Sequence, residues 1–256
     1  MNEKNLSLIG HLNELRRVLI VSGVALLIGC CVALYFADTL DWLLRLPIQG
    51  KFPSNSQPVY LGIFEPIFYR LKLGLIGGII LASPVVFQQL WWFISPALFP
   101  NERRFAIPVI GCMIIFFLGG VLFSYFLVLP TAIEFSVSQM VDNTRLMLAL
   151  SSYLSGAAMF LIIFGLVFET PIVVVALSWL GIIKAATFAK HRKYVFLGIF
   201  IIAAIATPTP DIVNQSIMAV PMYVLFELGV LAARMVEKRR LLRQSSQSAD
   251  AKNNNN

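Results

Sequence analysis

Apolar residues gather into six long runs along the chain, at about 18–37, 73–94, 108–129, 153–180, 194–206 and 213–233, with polar segments between them. A bilayer core of about 30 Å is crossed by about 20 apolar residues in a helix. The pattern therefore predicts an all-α, polytopic membrane protein with six transmembrane helices. The fifth run, YVFLGIFIIAAIA, has only 13 residues, a reach of about 20 Å at 1.5 Å per residue. The sixth is interrupted by Asn214, Gln215, Pro221 and Glu227. ATPTPD lies between the two, and its prolines cannot continue a helix. Spans five and six thus read as a short hairpin with a tight turn, beside which the bilayer thins or other protein shields the pair. The longest connection, 38–72, holds Pro47, Pro53, Pro58 and Pro66 and ends in IFEPIFYRLKLG, which predicts an interfacial helix leading into span two. Residues 1–235 form one six-span domain on this reading. Residues 236–256 are a basic and then disordered tail.

Composition leaves little room for a soluble domain. The chain is 58% hydrophobic and 13% charged, against about 25% charged in soluble domains. Of its 20 Lys and Arg, 15 fall in segments one, three, five and seven and 5 in the others. That bias predicts cytoplasmic termini and short cytoplasmic loops at 95–107 and 181–193. The net charge of +7 sits on one face and sets topology; with no soluble module, nucleic acid is not an expected partner. The first run is long enough to span and lacks a small-residue cleavage site, so it reads as an anchor and not a leader. Cys30, Cys31 and Cys112 lie in apolar runs and read as buried small hydrophobes, not a disulfide or metal set.

No catalytic constellation is visible. His11 and His191 lie outside the spans, whereas haem ligands would lie within the helices. No H-E-x-x-H or similar pattern occurs. The expectation is a protein that is not an enzyme and needs no metal or cofactor.

Three acids stand out. Glu169 sits in LIIFGLVFETPIVVVALSWL as the one ionisable residue of that stretch. An acid at a helix centre costs about 2.5–3.5 kcal/mol on insertion scales, and intramembrane acids are commonly functional. Pro171 loosens the backbone nearby, so span four carries a polar notch open to a partner or to water. The structural alternative is an acid kept protonated or bonded to Thr170. Glu14 in HLNELRR and Glu102 in SPALFPNERRF each lie beside an Arg-Arg pair on the cytoplasmic face. Each alone can be a surface charge, Glu14 pairing with Arg17 at i, i+3. Together, two carboxylates suit a ligand with paired arginines, through charge-assisted hydrogen bonds of about 1.5–3 kcal/mol each. Gln215 can bond to another helix, Asp211 can cap the sixth helix, and Glu227 reads as interfacial.

These residues resemble the TatC family, the large subunit of the twin-arginine protein translocase. The resemblance runs from about residue 8 to 235 and rests on HLNELRR, FEPIFYRLKLG, SPALFPNERR, FGLVFETP, ATPTPDIVNQ and VPMYVLFELG, in that order. It implies a glove-shaped bundle in the bacterial inner membrane, acting as receptor and core subunit. Such a subunit recognises the twin-arginine signal peptides of folded cargo and works with TatB-like and TatA-like single-span subunits and with other copies of itself. Transport draws on the proton-motive force. By motif, the resemblance implies that Glu14 and Glu102 bind the signal arginines, with Leu98 and Phe99 in the same loop. Glu169 would face the concave interior. Pro47 would belong to an outer cap, Asp211 to the outer end of the hairpin, and the stretch Ala203, Ala204, Ile205, Ala206 to a contact with a partner helix. Phe99 stands where many members have Tyr.

Two other readings are open to the residues alone. A secondary transporter for a small solute would use Glu169 as its proton-coupling acid, although spans one and four lack the matching interruption of an internal repeat. A scaffold for single-span partners would tolerate change at Glu14 and Glu102 and not in span five.

Overall fold

The computed structural model describes residues 3–49, 57–94, 106–139, 147–179, 181–206 and 212–253. The expectations for Leu98, Phe99, Glu102 and Asp211 concern residues outside these ranges. Among the described residues, five helices are long and apolar enough to span a membrane: Leu12–Tyr35, Glu65–Phe93, Ile107–Ser138, Leu150–Trp179 and Gln215–Lys238. A sixth, shorter helix lies between the fourth and fifth of these. Contacts group the chain into two compact units, Met1–Gly165 and Leu166–Asn256.

In the first unit, α1 (Glu3–Tyr35) packs along α3 (Glu65–Ile94). Small residues let the two backbones meet. A Cβ on Gly29 would lie 2.8 Å from the carbonyl oxygen of Gly78, and one on Gly78 would lie 2.5 Å from Cys30 Sγ. In lipid, helices associate through such close packing because the tails supply no hydrophobic drive between them. α3 is continuous, so IFEPIFYRLKLG belongs largely to the span and not to a separate interfacial helix. It also runs through Pro84. The missing Pro84 amide leaves the Ile80 carbonyl without its usual donor, and the Ser83 hydroxyl donates to that oxygen at 2.8 Å.

Span three passes its own proline in a different way. α4 (Ala106–Phe123) widens into a π-helical turn, Ser124–Val128, and continues as α5 (Leu129–Ser138), with Pro130 in the first turn of α5. A π turn absorbs the register change a proline forces. The Thr131 hydroxyl shares its proton between the Leu127 and Val128 carbonyls, at 2.8 and 3.0 Å. Span four is α6 (Leu150–Phe168), broken at Glu169 and resumed as α7 (Thr170–Trp179).

Two features of the long connection escape the apolar pattern. One is α2 (Ala37–Arg45), an amphipathic helix that buries Ala37 and Leu44 and ends in a 3-10 turn, Leu46–Ile48. The other is a parallel strand pair, β1 (Gln57–Val59) with β2 (Met147–Ala149), in register Gln57 to Met147.

In the second unit, α8 (Ala185–Lys190), α9 (Arg192–Ala206) and α7 all pack on α10 (Ile212–Asn253). α9 has 15 residues, so the fifth span is short, as its apolar run indicates. The sixth is not short: its span covers 24 residues. Asn214, Gln215, Pro221 and Glu227 interrupt its apolar run but not the helix, since Pro221 is accommodated within it. α10 also stays helical to Asn253, through the stretch after Arg243 where composition predicts disorder. That stretch has neither Gly nor Pro, and extending an anchored helix costs far less than nucleating one. The cysteines need a correction too. All three are free thiols, but Cys31 and Cys112 are exposed on their helices and Cys30 is half-buried; apolar runs in a membrane protein face lipid as readily as core.

Candidate functional site

Glu169 is buried at 6% relative exposure, in the break between α6 and α7. The backbone explains the break. The Glu169 amide donates to the Leu166 carbonyl at 3.1 Å, a tight i to i−3 bond, and regular spacing resumes when the Val173 amide donates to the Glu169 carbonyl at 3.0 Å. Pro171 supplies no amide to the Val167 carbonyl. A carboxylate and a loosened backbone therefore occupy one level of span four. Gly229 of α10 lies against that level: a Cβ there would come within 2.8 Å of Pro171 Cα.

Gln215 does not join Glu169. Fourteen residues separate Gln215 from Gly229, about 21 Å along α10, while Glu169 is two residues from Pro171. The Gln215 amide instead donates to the Phe200 carbonyl of α9 at 2.8 Å. It braces the hairpin and does not extend the intramembrane polar site.

Further down the hairpin, Arg192 and Glu227 form an ion pair with two close N···O contacts. Arg192 Nε lies 2.7 Å from Glu227 Oε1, and Nη2 donates to Oε2 at 2.7 Å. The Tyr223 hydroxyl donates to Oε1 at 3.0 Å. Glu227 is therefore more than an interfacial charge. Sequence reasoning misses its partner, although the hairpin's symmetry holds the signal. In the antiparallel pair of α9 and α10, Phe200 faces Gln215, Phe196 faces Tyr223 and Arg192 faces Glu227.

The stretch assigned to a partner helix does not present one surface. Ala203 is fully buried, whereas Ala204 and Ile205 are exposed; the Ala206 side chain is outside the described set. Only part of the expected contact is open to another helix.

A second cluster surrounds α2. The last carbonyls of a helix have few intrahelical donors, and the Leu43 carbonyl, which accepts from the Leu46 amide, has a second lone pair to offer. Tyr125 of the π turn donates to the Leu43 carbonyl at 2.5 Å, and Tyr153 of α6 donates to the Leu44 carbonyl at 2.6 Å. Tyr69 of α3 donates to the Asp41 carboxylate, which also pairs with Arg45 at 2.8 Å. Burial opposes the Arg45 charge, but the Asp41 carboxylate and then Tyr69 outweigh it, and the guanidinium pKa stands above its ordinary value. Asp38 pairs with Arg70 at 3.0 Å. Spans two, three and four thus hold α2 as a cap, and Pro47 lies in the 3-10 turn that ends it.

Glu14 is exposed on α1, next to the exposed Arg16 and Arg17. Its expected companions Glu102, Leu98 and Phe99 are outside the described residues.

The helices, their apolar faces and the intramembrane acid define an all-α, multi-pass membrane protein. The sequence pattern of the family described as Sec-independent protein translocase protein (TatC) matches residues 10–221. A relative named Sec-independent protein translocase protein TatC, from Carboxydothermus hydrogenoformans, is 37% identical over 239 residues, covering 93% of this chain and 97% of that protein. A relative of the same name from Escherichia coli K12 is 35% identical over 227 residues, covering 89% and 88%. The solved structure of a twin-arginine translocase receptor, TatC in DDM, superposes with a TM-score of 0.80 at 37% identity, over 87% of this chain and 99% of that one. The chain belongs to the TatC family. It is a multi-pass protein of the bacterial inner membrane, its function is protein transport by the Tat translocase, and such a system implies partners within a complex. Nothing in these likenesses supports the solute-transporter reading.

Proposed function

We propose that this chain is the signal-peptide receptor and core subunit of a twin-arginine translocase. Both termini face the cytoplasm. There Glu14 and Glu102 grip the paired arginines of a signal peptide, with Leu98 and Phe99 completing the same loop. TatB-like and TatA-like single-span subunits, further copies of this chain and the surrounding lipid are its partners. A partner helix docks on α9 at Ala204 and Ile205, where the surface is open. Asp211 and Pro47 belong to the opposite face, at the hairpin turn and the α2 cap. Passage of folded cargo draws on the proton-motive force and needs no catalysis by this chain. The burial cost of Glu169 is offset when a polar or cationic partner group enters the notch.

The observation that carries this reading is the likeness, over nearly the whole of both chains, to solved twin-arginine translocase receptors. The exposure of Glu14 beside Arg16 and Arg17 supports the assigned site. The test is binding of a synthetic Arg-Arg signal peptide to the purified protein in nanodiscs. The Lys-Lys peptide and the Glu14→Ala and Glu102→Ala variants are compared with it. A loss of tenfold or more, about 1.4 kcal/mol, is expected for each change. Equal binding in all combinations would reduce both acids to surface charges.

A further inference from the structure

We propose that the groove beside Lys72, where α3 and α6 meet on the α2 side of the first unit, binds one anionic phospholipid. The groove has a volume of about 710 Å³ and is walled by Phe64, Phe68, Leu71 and Leu75, with Lys72 and Ser151 among its polar lining. The four apolar residues recur at i, i+4, i+7 and i+11, one stripe of a helix face, and all are exposed. Lys72 is a cation inside a candidate span. Its Nζ donates to the hydroxyls of Ser151 and Ser155 at 3.1 and 2.9 Å. Among the described residues no carboxylate lies within ion-pair distance of it.

The other charge on the groove, Glu65, lies seven residues away at the start of α3, about 10 Å along the helix, where its carboxylate accepts from the backbone amides of Leu61 and Gly62. At the level of Lys72 the charge is the ammonium, which favours an anionic group there.

Depth argues for a lipid. α3 has 30 residues, about 45 Å, which matches a bilayer with its headgroup layers. Lys72 is seven residues from the start, about 10 Å in, near the boundary between headgroups and tails. Side chains on a helix lean toward its N-terminus, so the ammonium reaches toward the headgroup layer. Phe64 and Phe68 lie toward the headgroup end of this stripe, while Leu71 and Leu75 run on beside an acyl chain. The serine hydroxyls, held by the helix (Ser155 donates to the Ser151 carbonyl at 2.8 Å), fix the ammonium from the protein side and leave its outer side to a phosphate.

The test is native mass spectrometry of the full chain from nanodiscs holding equal phosphatidylglycerol and phosphatidylcholine with matched chains. One phosphatidylglycerol should be retained with at least fivefold preference. Lys72→Arg should keep that preference, and Lys72→Gln should abolish it. Phe68→Glu, which sets a carboxylate one helical turn from Lys72, where it can pair with the ammonium, should abolish it as well and covers a failure of Lys72→Gln to fold. Equal retention of the two lipids by the unaltered protein would overturn the proposal. So would a preference that survives both Lys72→Gln and Phe68→Glu, or one lost equally to millimolar inorganic phosphate, which would mark a free-anion site.

Discussion

Gly229 of α10 meets Pro171 of α7 backbone to backbone: a Cβ at position 229 would lie 2.8 Å from Pro171 Cα and 3.3 Å from Val174 Cβ. The contact sits two residues from the buried Glu169, so the glycine holds α10 against the level of span four at which the helix is broken. Backbone cannot yield as a flexible side chain can. Gly229→Ala gains about 1 kcal/mol of helix propensity and meets an overpacking cost of about 1–3 kcal/mol. The net is neutral to destabilising, and Gly229→Val is worse. Gly198 of α9 has open space around its would-be Cβ and serves as the control, where Ala should stabilise by up to about 1 kcal/mol. Thermal unfolding of the purified variants gives both numbers. A stabilised Gly229→Ala would mean that the helices are farther apart than described.

The tyrosines on α2 make a local prediction. Tyr125 and Tyr153 each donate to a carbonyl near the end of α2, and a net hydrogen bond is worth about 1 kcal/mol. The Tyr125→Phe, Tyr153→Phe double variant keeps the rings and removes both hydroxyls. Hydrogen exchange across residues 37–48 should accelerate by roughly an order of magnitude, with little change in α10, because opening is local. Uniform acceleration of both regions would show that the hydroxyls stabilise the whole protein and not the cap.

What is legible in the sequence follows from the length over which each signal accumulates. A run of apolar residues long enough to span adds up over many positions, so the helices can be read from it, and a single acid inside such a run, Glu169, stands out against it. α2 is nine residues among prolines, and β1 and β2 are three each, paired across 90 positions of the chain, Gln57 with Met147; no local window holds that information. The π turn before Pro130 is hidden because a proline signals an interruption without saying how it is absorbed. Polar residues in the sixth run read as its limits when they are its contacts: Gln215 and Glu227 both bond to α9. The motif sets Ala203 on a partner surface, whereas its burial depends on which face of α9 meets the rest of the fold.

Arg192 and Glu227 should be energetically coupled. The pair has one charge-assisted hydrogen bond, Nη2 to Oε2, with Nε close to Oε1 as a second charge contact, but the side chains are 42% and 25% exposed, and solvent screening limits the gain. A coupling of about 1 kcal/mol is expected from a double-mutant cycle of Arg192→Gln and Glu227→Gln, read by thermal unfolding. Tyr223→Phe should reduce that coupling, since its hydroxyl orients the same carboxylate. Additivity within about 0.3 kcal/mol would show that the fork contributes geometry without stability.

Glu169 separates folding from transport. The carboxyl is buried in a helix break that Pro171 and Gly229 build without it, through the absent proline amide and the close backbone contact. Glu169→Gln keeps the volume and a polar tip and removes only the acid. The variant should fold with a melting temperature within a few degrees of the unaltered protein. Export of a folded reporter in cells should nevertheless fall at least tenfold, while binding of the Arg-Arg signal peptide by the purified protein stays within about threefold, because the proposed signal-binding acids lie on α1 and in the loop after α3. Glu169→Ala should lower export no less than Gln does. If Gln exports normally and only Ala fails, the residue supplies bulk and hydrogen bonding, not charge. If Gln abolishes peptide binding together with export, the signal peptide itself reaches span four, and the notch is part of the recognition site.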